Sequence, residues 1–218
     1  MVQKRAKPAA AISEAAPKRR GRPRAYEPEV ALAKALDLFR KDGFAATSLD
    51  DLSAATGMNR PSLYGAFGDK RELYIKSYAR YRADARDAMI EIFRDEMPIR
   101  KRLARIYAVA LDIYLSGEAG PRGCFTLMTA ASEAVADPEI RAMVQEGFVE
   151  FDRAFAICFR RAKENGELAE AADPTVLAQL ASATIHTIAI RARARVPRKE
   201  LEAIVRGAIN VMCGAATK

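Results

Sequence analysis

Residues 48–70 constrain the fold most strongly, because their pattern predicts two short helices joined by a tight turn. Ser48 is a favourable N-cap residue, and Asp51, three positions later, completes a capping box. Gly57 can adopt the left-handed conformation that ends a helix. Asn59 then caps the second helix. The stretch therefore predicts a helix-turn-helix unit.

The second helix of this unit is predicted to have one apolar face and one face of polar or small side chains. Leu63 and Phe67 are four residues apart and are expected to face inward. Pro61 lies in the first turn, where its missing N–H costs no hydrogen bond. A helix with such an outer face suits the major groove of DNA. The outward side chains are Arg60, Ser62, Tyr64 and Ala66.

Composition favours an all-α protein that can bury a sizeable core. The chain has 218 residues, of which 50% are hydrophobic. Apolar residues recur at helical spacing, with almost no period-2 alternation. Glycine and proline are sparse outside the segment boundaries. We expect about nine helices. The first begins at Pro28 and is ended by Gly43, and one short helix spans residues 124–136.

The positive charge of the chain is concentrated at its beginning. Residues 1–24 hold eight basic residues against Glu14 alone, a formal +7, which leaves only +1 of the total of +8 for the rest. Residues 1–25 show no helical or strand period, so we expect a disordered basic arm. A basic arm on a nearly neutral body suggests nucleic acid as a partner before it suggests a membrane.

Within this arm, residues 20–24 read Arg-Gly-Arg-Pro-Arg and are similar to the core of an AT-hook. In that interpretation Arg22 and Arg24 enter the narrow minor groove of A·T-rich DNA. The alternative is a solvated basic tail that is attracted to phosphate independently of sequence. A transit peptide is a third interpretation.

The helix-turn-helix unit resembles the DNA-binding domain of the TetR/AcrR family of bacterial transcription regulators, through the segments GFAATSLDDL and GMNRPSLYGAFGDKRELY. The similarity runs from about residue 26 to residue 78 and includes the spacing Leu-Tyr-x-x-Phe-x-x-Lys. Ser53, Thr56 and Ala66 depart from the residues that are common in the family. The resemblance implies a three-helix DNA-binding domain at 26–72 and a helical ligand-binding and dimerisation domain at 73–218.

The pattern and the resemblance together predict which residues contact DNA. The first helical turns and the family pattern predict phosphate contacts, and the outer face of the second helix predicts base contacts. Base-edge contacts are expected from Arg60, with Asn59, Pro61 and Ala66 as further candidates. Phosphate contacts are expected from Thr47, Ser48, Ser62, Tyr64 and Lys70.

The resemblance also implies a ligand-responsive repressor that binds a palindromic operator as a homodimer and is released by a small-molecule inducer. The last two predicted helices, which begin at Pro174 and Pro197, are rich in small residues and would form the dimer interface. Packing within one chain is the alternative. Two recognition helices roughly 34 to 36 Å apart would read the two half-sites.

The central helices are expected to hold the effector pocket. Cys124 follows a Gly-Pro-Arg-Gly turn, so a redox or electrophile sensor is one interpretation and an inert buried thiol is the other. Aromatic and methionine residues at helical spacing are often core, and their number suggests an apolar or aromatic ligand. The candidate lining residues are Tyr107, Tyr114, Cys124, Phe125, Met128, Phe148, Phe151 and Phe155.

No sequence feature points to an enzyme, a metal or a cofactor. His186 is the single histidine, and the chain has no glycine-rich phosphate loop and no nucleophile elbow. The three cysteines do not make a disulfide framework. The apolar run at 9–12 is too short for a signal peptide, and no stretch reaches the length of a membrane span. We expect a non-enzymatic cytoplasmic protein.

One alternative function is an architectural DNA-binding protein in which the basic arm dominates binding. Deleting residues 1–24 separates the two functions. A regulator whose helix-turn-helix unit reads sequence should keep its discrimination between specific and random duplexes, because base contacts supply that discrimination. An architectural binder should lose most of its affinity. Fluorescence anisotropy titrations with both kinds of duplex would measure this.

Overall fold

A computed structural model describes residues 27–117 and 120–214, and within these ranges all regular secondary structure is helical. This confirms the all-α prediction. The basic arm at 1–25, with Arg22 and Arg24, lies outside the described residues. The helices are α1 (Pro28–Ala46), α2 (Leu49–Thr56), α3 (Arg60–Phe67), α4 (Lys70–Arg94), α5 (Ile99–Leu115), α6 (Phe125–Ala131), α7 (Glu133–Ala136), α8 (Pro138–Glu164), α9 (Pro174–Arg193) and α10 (Arg198–Cys213).

The predicted capping box starts α2. The Asp51 N–H donates to Ser48 Oγ over 3.1 Å, and the Ser48 N–H donates to Asp51 Oδ2 over 2.8 Å. Gly57 follows α2 with φ of 72° in the left-handed region. These bonds join residues only three positions apart, which is why the sequence predicts them well.

The structure differs from the sequence-based prediction in the segment 124–136. The single helix predicted for 124–136 is two helices, α6 and α7, separated at Ser132, where φ is −122° and ψ is −86°. The Ser132 hydroxyl donates to the Met128 carbonyl over 2.8 Å, a local bond that competes with regular helix. The described residues therefore form ten helices rather than about nine. At Gly43, where the sequence predicts the end of the first helix, φ is 81° and ψ is 172°, so the helical backbone is interrupted there before it resumes as far as Ala46.

Helix α4 connects two clusters of buried side chains. One cluster joins α1–α3 and the first half of α4 to α6–α8. The other joins the second half of α4 to α5, α8, α9 and α10. The predicted domain boundary at residue 72 falls inside α4 and stays a prediction. No helix in the two described ranges is both long and apolar enough to cross a membrane.

Arginines fix the end of α1 to the C-terminal helices. Arg193, the last residue of α9, donates from Nη1 to the Arg40 carbonyl over 3.0 Å and to the Arg122 carbonyl over 2.9 Å. Arg122, itself buried, pairs with Asp37 of α1 at 3.2 Å. Helix α1 is thereby bonded to α9 and to the segment that follows α5.

Candidate nucleic-acid interface

Helix α3 is held by its inner face. Leu63 and Phe67 are buried, as predicted, and pack with Leu52 of α2 and with the buried Met58 in the turn. Leu73 of α4 belongs to the same cluster. Since apolar contacts fix the inner side of α3, its outer side is presented as a rigid surface.

The outer side of α3 is open. Arg60, Pro61 and Tyr64 are exposed, Tyr64 to 48%, whereas Ser62 and Ala66 are half-buried. Sequence analysis missed Gly65, which lies on the same open side. A Cβ placed on Gly65 would meet no protein atom within 4 Å. Glycine is less favourable than alanine inside a helix, so its presence here costs stability. Because glycine has no side chain, it lets another molecule approach the backbone of α3 closely at this position.

Several predicted DNA contacts already have structural partners. The Ser62 N–H donates to Asn59 Oδ1 over 2.9 Å, so Asn59 caps α3. Thr47 is 1% exposed, and its hydroxyl donates to the Gly43 carbonyl over 2.6 Å. The Ser48 hydroxyl donates to Asp51 over 2.6 Å. Whether Thr47, Ser48 and Asn59 also contact DNA stays a prediction.

Lys70 begins α4 beside the open face of the helix-turn-helix unit. Its Nζ lies 4.3 Å from the centre of the Phe44 ring, a cation–π contact that restrains the half-buried side chain. The Phe44 ring in turn packs against the ring of Tyr74, with the ring centres 5.2 Å apart. The cation–π contact fixes the position of the lysine charge at the start of α4.

Arg60 forms an ion pair that sequence analysis missed. Its Nε donates to Asp50 Oδ1 over 3.0 Å, and its Nη2 lies 2.7 Å from Asp50 Oδ2. Asp50 also lies in the first turn of α2, where a carboxylate complements the helix dipole. The pair spans the turn between α2 and α3, so no spacing rule within a single helix could reveal it.

The predicted effector residues divide into a packed core and an open pocket. Cys124 and Met128 are half-buried, and the Cys124 thiol accepts a hydrogen bond from Tyr81 at 3.6 Å. Phe148 and Phe151 line a pocket of about 240 Å³ between α8 and α9. Four of the candidates are fully buried and pack against neighbouring helices: Tyr107, Tyr114, Phe125 and Phe155.

The same pocket contains polar groups that sequence analysis did not assign to it. Asp152, Gln179, Ser182 and His186 share its lining. The His186 ring lies 5.3 Å from that of Phe148, and burial lowers the pKa of the imidazole although Asp152 opposes this. The pocket thus offers aromatic faces, one carboxylate and a neutral histidine. The identification of this pocket as the effector site stays a prediction.

Some small residues of α9 and α10 are buried within the chain, and others lie on the outer side of the two helices. Ala181 and Ala189 are buried within the chain, as the packing alternative predicted. On the outer side of the two helices, a second pocket of about 280 Å³ and exposed apolar side chains form a surface that we call the α9–α10 face. It includes Leu180, Ala183, Thr184, Thr187, Ala208, Val211 and Met212.

Comparison with known proteins shows similarity along most of the chain. Residues 31–76 match the family model for bacterial regulatory proteins of the tetR family, and residues 100–208 match the model for a tetracyclin repressor-like C-terminal domain. The HTH-type transcriptional repressor ComR of Escherichia coli (strain K12) is 31% identical over 180 residues, covering 81% of this chain and 84% of ComR. The repressor BdcR of the same organism is 35% identical over 56% of this chain and 59% of BdcR.

Solved structures show the same similarity. A cysteine mutant of the TetR family transcriptional regulator CifR, complexed with 26-bp double-strand operator DNA, aligns with a TM-score of 0.77 and 28% identity. The alignment covers 88% of this chain and all of that one. The reduced form of NemR from E. coli aligns with a TM-score of 0.74 at 21% identity, which supports the fold alone.

The cap on α3 is testable through the stability of the protein. Asn59→Ala should lower the free energy of unfolding by about 1 kcal/mol because the Ser62 N–H loses its acceptor. Asn59→Ser should lose much less, since serine caps equally well. Urea unfolding at fixed protein concentration would measure both variants.

The control is Asn165→Ala, at the end of α8, where the side chain makes no hydrogen bond within the described ranges. Equal losses in Asn59→Ala and Asn59→Ser would contradict the capping role.

Proposed function

The chain belongs to the TetR family of bacterial regulatory proteins and is a transcriptional regulator, and we propose that it is a repressor that binds a palindromic operator as a homodimer. A small molecule bound in the C-terminal helices releases it from DNA. It acts in the cytoplasm. The observation that carries the proposal is the outer face of α3, which is open to solvent while its inner face is anchored in the core.

In this proposal α3 is the recognition helix. Arg60, in its first turn, contacts a base edge, and Asn59, Pro61 and Ala66, at the cap and on the helix, add base contacts. The cation of Lys70 and the hydroxyl of Tyr64 bind phosphate at the edges of the same surface. Thr47, Ser48 and Ser62 contribute phosphate contacts from helix N-termini. The operator-bound CifR mutant supports this arrangement by similarity.

The homodimer forms through the α9–α10 face. Leu180 and Val211 are large apolar side chains of this face that are exposed in the single chain, the latter to 78%. Contiguous exposed apolar surface of this kind marks a protein interface. A two-fold axis through the face would place the same surface of each subunit against the other and set two copies of α3 on one side of the assembly.

The release mechanism is a shift in population between two arrangements of the α3 helices. The pocket between α8 and α9 is the proposed effector site, and Phe148 and Phe151 favour a ligand with an apolar or aromatic body. Arg193 bonds the end of α9 to the Arg40 carbonyl in α1. A ligand that binds better when α9 has moved would therefore also move α1, and its differential affinity would weaken DNA binding.

Two substitutions test DNA recognition. Lys70→Ala should weaken binding to every duplex and reduce the slope of log K against log salt by about 1, because one phosphate contact is lost. Arg60→Ala should instead relax the preference for specific bases. Both are measured by anisotropy titrations over a range of salt concentrations, with duplexes selected from a random library and with unselected ones.

The matched control is Lys101→Ala, an exposed lysine on α5 outside the helix-turn-helix unit. If Lys70→Ala and Arg60→Ala bind like the control, α3 is not the recognition helix.

The dimer surface is tested by placing a charge in it. Val211→Glu should weaken self-association by roughly 100-fold, because the two-fold axis would bury two unpaired carboxylates. Analytical ultracentrifugation over a concentration series would measure the dissociation constant. Val135→Glu is the control, since Val135 is 69% exposed on α7 and lies outside the α9–α10 face. A Val211→Glu dimer as tight as the control dimer would disprove this interface.

A further inference from the structure

Arg60 and Asp50 are held together by contacts along one edge of the guanidinium group. Nε donates to Asp50 Oδ1 over 3.0 Å, and Nη2 lies 2.8 Å from Oδ1 and 2.7 Å from Oδ2. Both side chains are solvent-exposed, Arg60 to 55% and Asp50 to 75%. The pair therefore forms on the open surface beside α3, at the residue proposed to contact a base.

The contacts leave the other edge of the guanidinium free. A guanidinium carries five N–H donors in a fixed plane. In the described part of the chain Nη1 makes no hydrogen bond, and Nη2 carries a second N–H that points away from Nε. The two terminal nitrogens can therefore donate side by side to two acceptors. The O6 and N7 atoms of guanine are such a pair, and arginine is their commonest specific partner.

Helix capping accounts for the carboxylates of Asp51, Asp69 and Glu72 but not for that of Asp50. Asp51 accepts from the Ser48 N–H, and Asp69 and Glu72 form the capping box of α4. Within residues 27–117 and 120–214 Asp50 makes no capping bond, and its side chain pairs with Arg60. Exposed ion pairs add little to stability. A carboxylate beside a DNA-binding helix also repels phosphate and therefore lowers the affinity for DNA. A gain in base specificity would offset this loss of affinity.

We propose that Asp50 is a positioning residue that orients Arg60 for bidentate recognition of one guanine in each half-site of the operator. The carboxylate restrains a flexible side chain before DNA arrives, so less rotamer freedom is lost on binding. Its charge also lowers the affinity for random duplexes. This inference rests on the proposed function and adds the base that Arg60 reads and the residue that directs it.

The experiment selects duplexes from a random library with the full-length protein and its variants, and it reads the preference at each base position. The variants are Asp50→Asn, Arg60→Ala, their combination and Asp87→Asn. Asp87 is the matched control because it is an exposed aspartate near Arg86 on α4, outside the helix-turn-helix unit. Thermal unfolding followed by circular dichroism checks that each variant is folded.

The expected result has three parts. The unmodified protein enriches a guanine at a symmetric position, and Arg60→Ala abolishes that preference. Asp50→Asn reduces the preference at the same position roughly tenfold, within the range of one bidentate base contact, while other positions and the control are unchanged. Binding of Asp50→Asn to unselected duplexes is unchanged or tighter. In the Arg60→Ala background, Asp50→Asn has no further effect on the preference.

Other outcomes overturn the inference. An undiminished guanine preference in Asp50→Asn, an equal loss at every position, or an Arg60-dependent base other than guanine would each disprove the positioning role while leaving the regulator intact. If the unmodified protein enriches no motif at all, the proposed function fails as well. If Asp50→Asn unfolds, Asp50→Ser provides the same test, since it removes the charge and leaves a side chain that suits a first turn.

Discussion

The packing around Tyr74 is the interaction on which the arrangement of the protein depends. Its ring lies 5.0 Å from that of Phe39 in α1 and 5.3 Å from that of Phe125 in α6, in edge-to-face geometry. Its hydroxyl is 2.8 Å from Thr129 Oγ1, and burial raises the pKa of the phenol, which stays neutral. One side chain of α4 thus joins the helix-turn-helix unit to the C-terminal helices.

Polar contacts around this aromatic cluster set the relative position of the same two parts. Arg71 of α4 pairs with Asp137 at the start of α8, and this hydrogen bond lowers the pKa of the Asp137 carboxyl to about 2. On the other side, Arg193 and Arg122 hold the end of α1. These contacts bring α8 and α9, which line the proposed effector pocket, into direct contact with the helices that carry α3. A change at the pocket can therefore reach the DNA-binding surface through short, identifiable bonds.

The polar residues of the helix-turn-helix unit differ in whether their side chains are already hydrogen-bonded within helix caps. The side chains of Ser48, Asp51 and Asn59 make the hydrogen bonds that cap α2 and α3. The Thr47 hydroxyl donates to the Gly43 carbonyl. Arg60 remains exposed at the start of α3, and Asp50 restrains it. The Asn59 side chain caps α3, whereas the Arg60 side chain makes no cap, so substitutions at these two positions can separate the stability of α3 from the proposed base recognition.

The sequence alone determined the helical fold, most helix limits and the helix-turn-helix unit, because caps, turns and amphipathic faces depend on residues within about four positions of one another. Tertiary structure decided which of the predicted site residues share a surface. The pair of Asp50 with Arg60, the burial of Thr47 and the pocket between α8 and α9 arise where separate helices meet. Such contacts depend on packing between distant segments, and that packing has no local signature in the sequence.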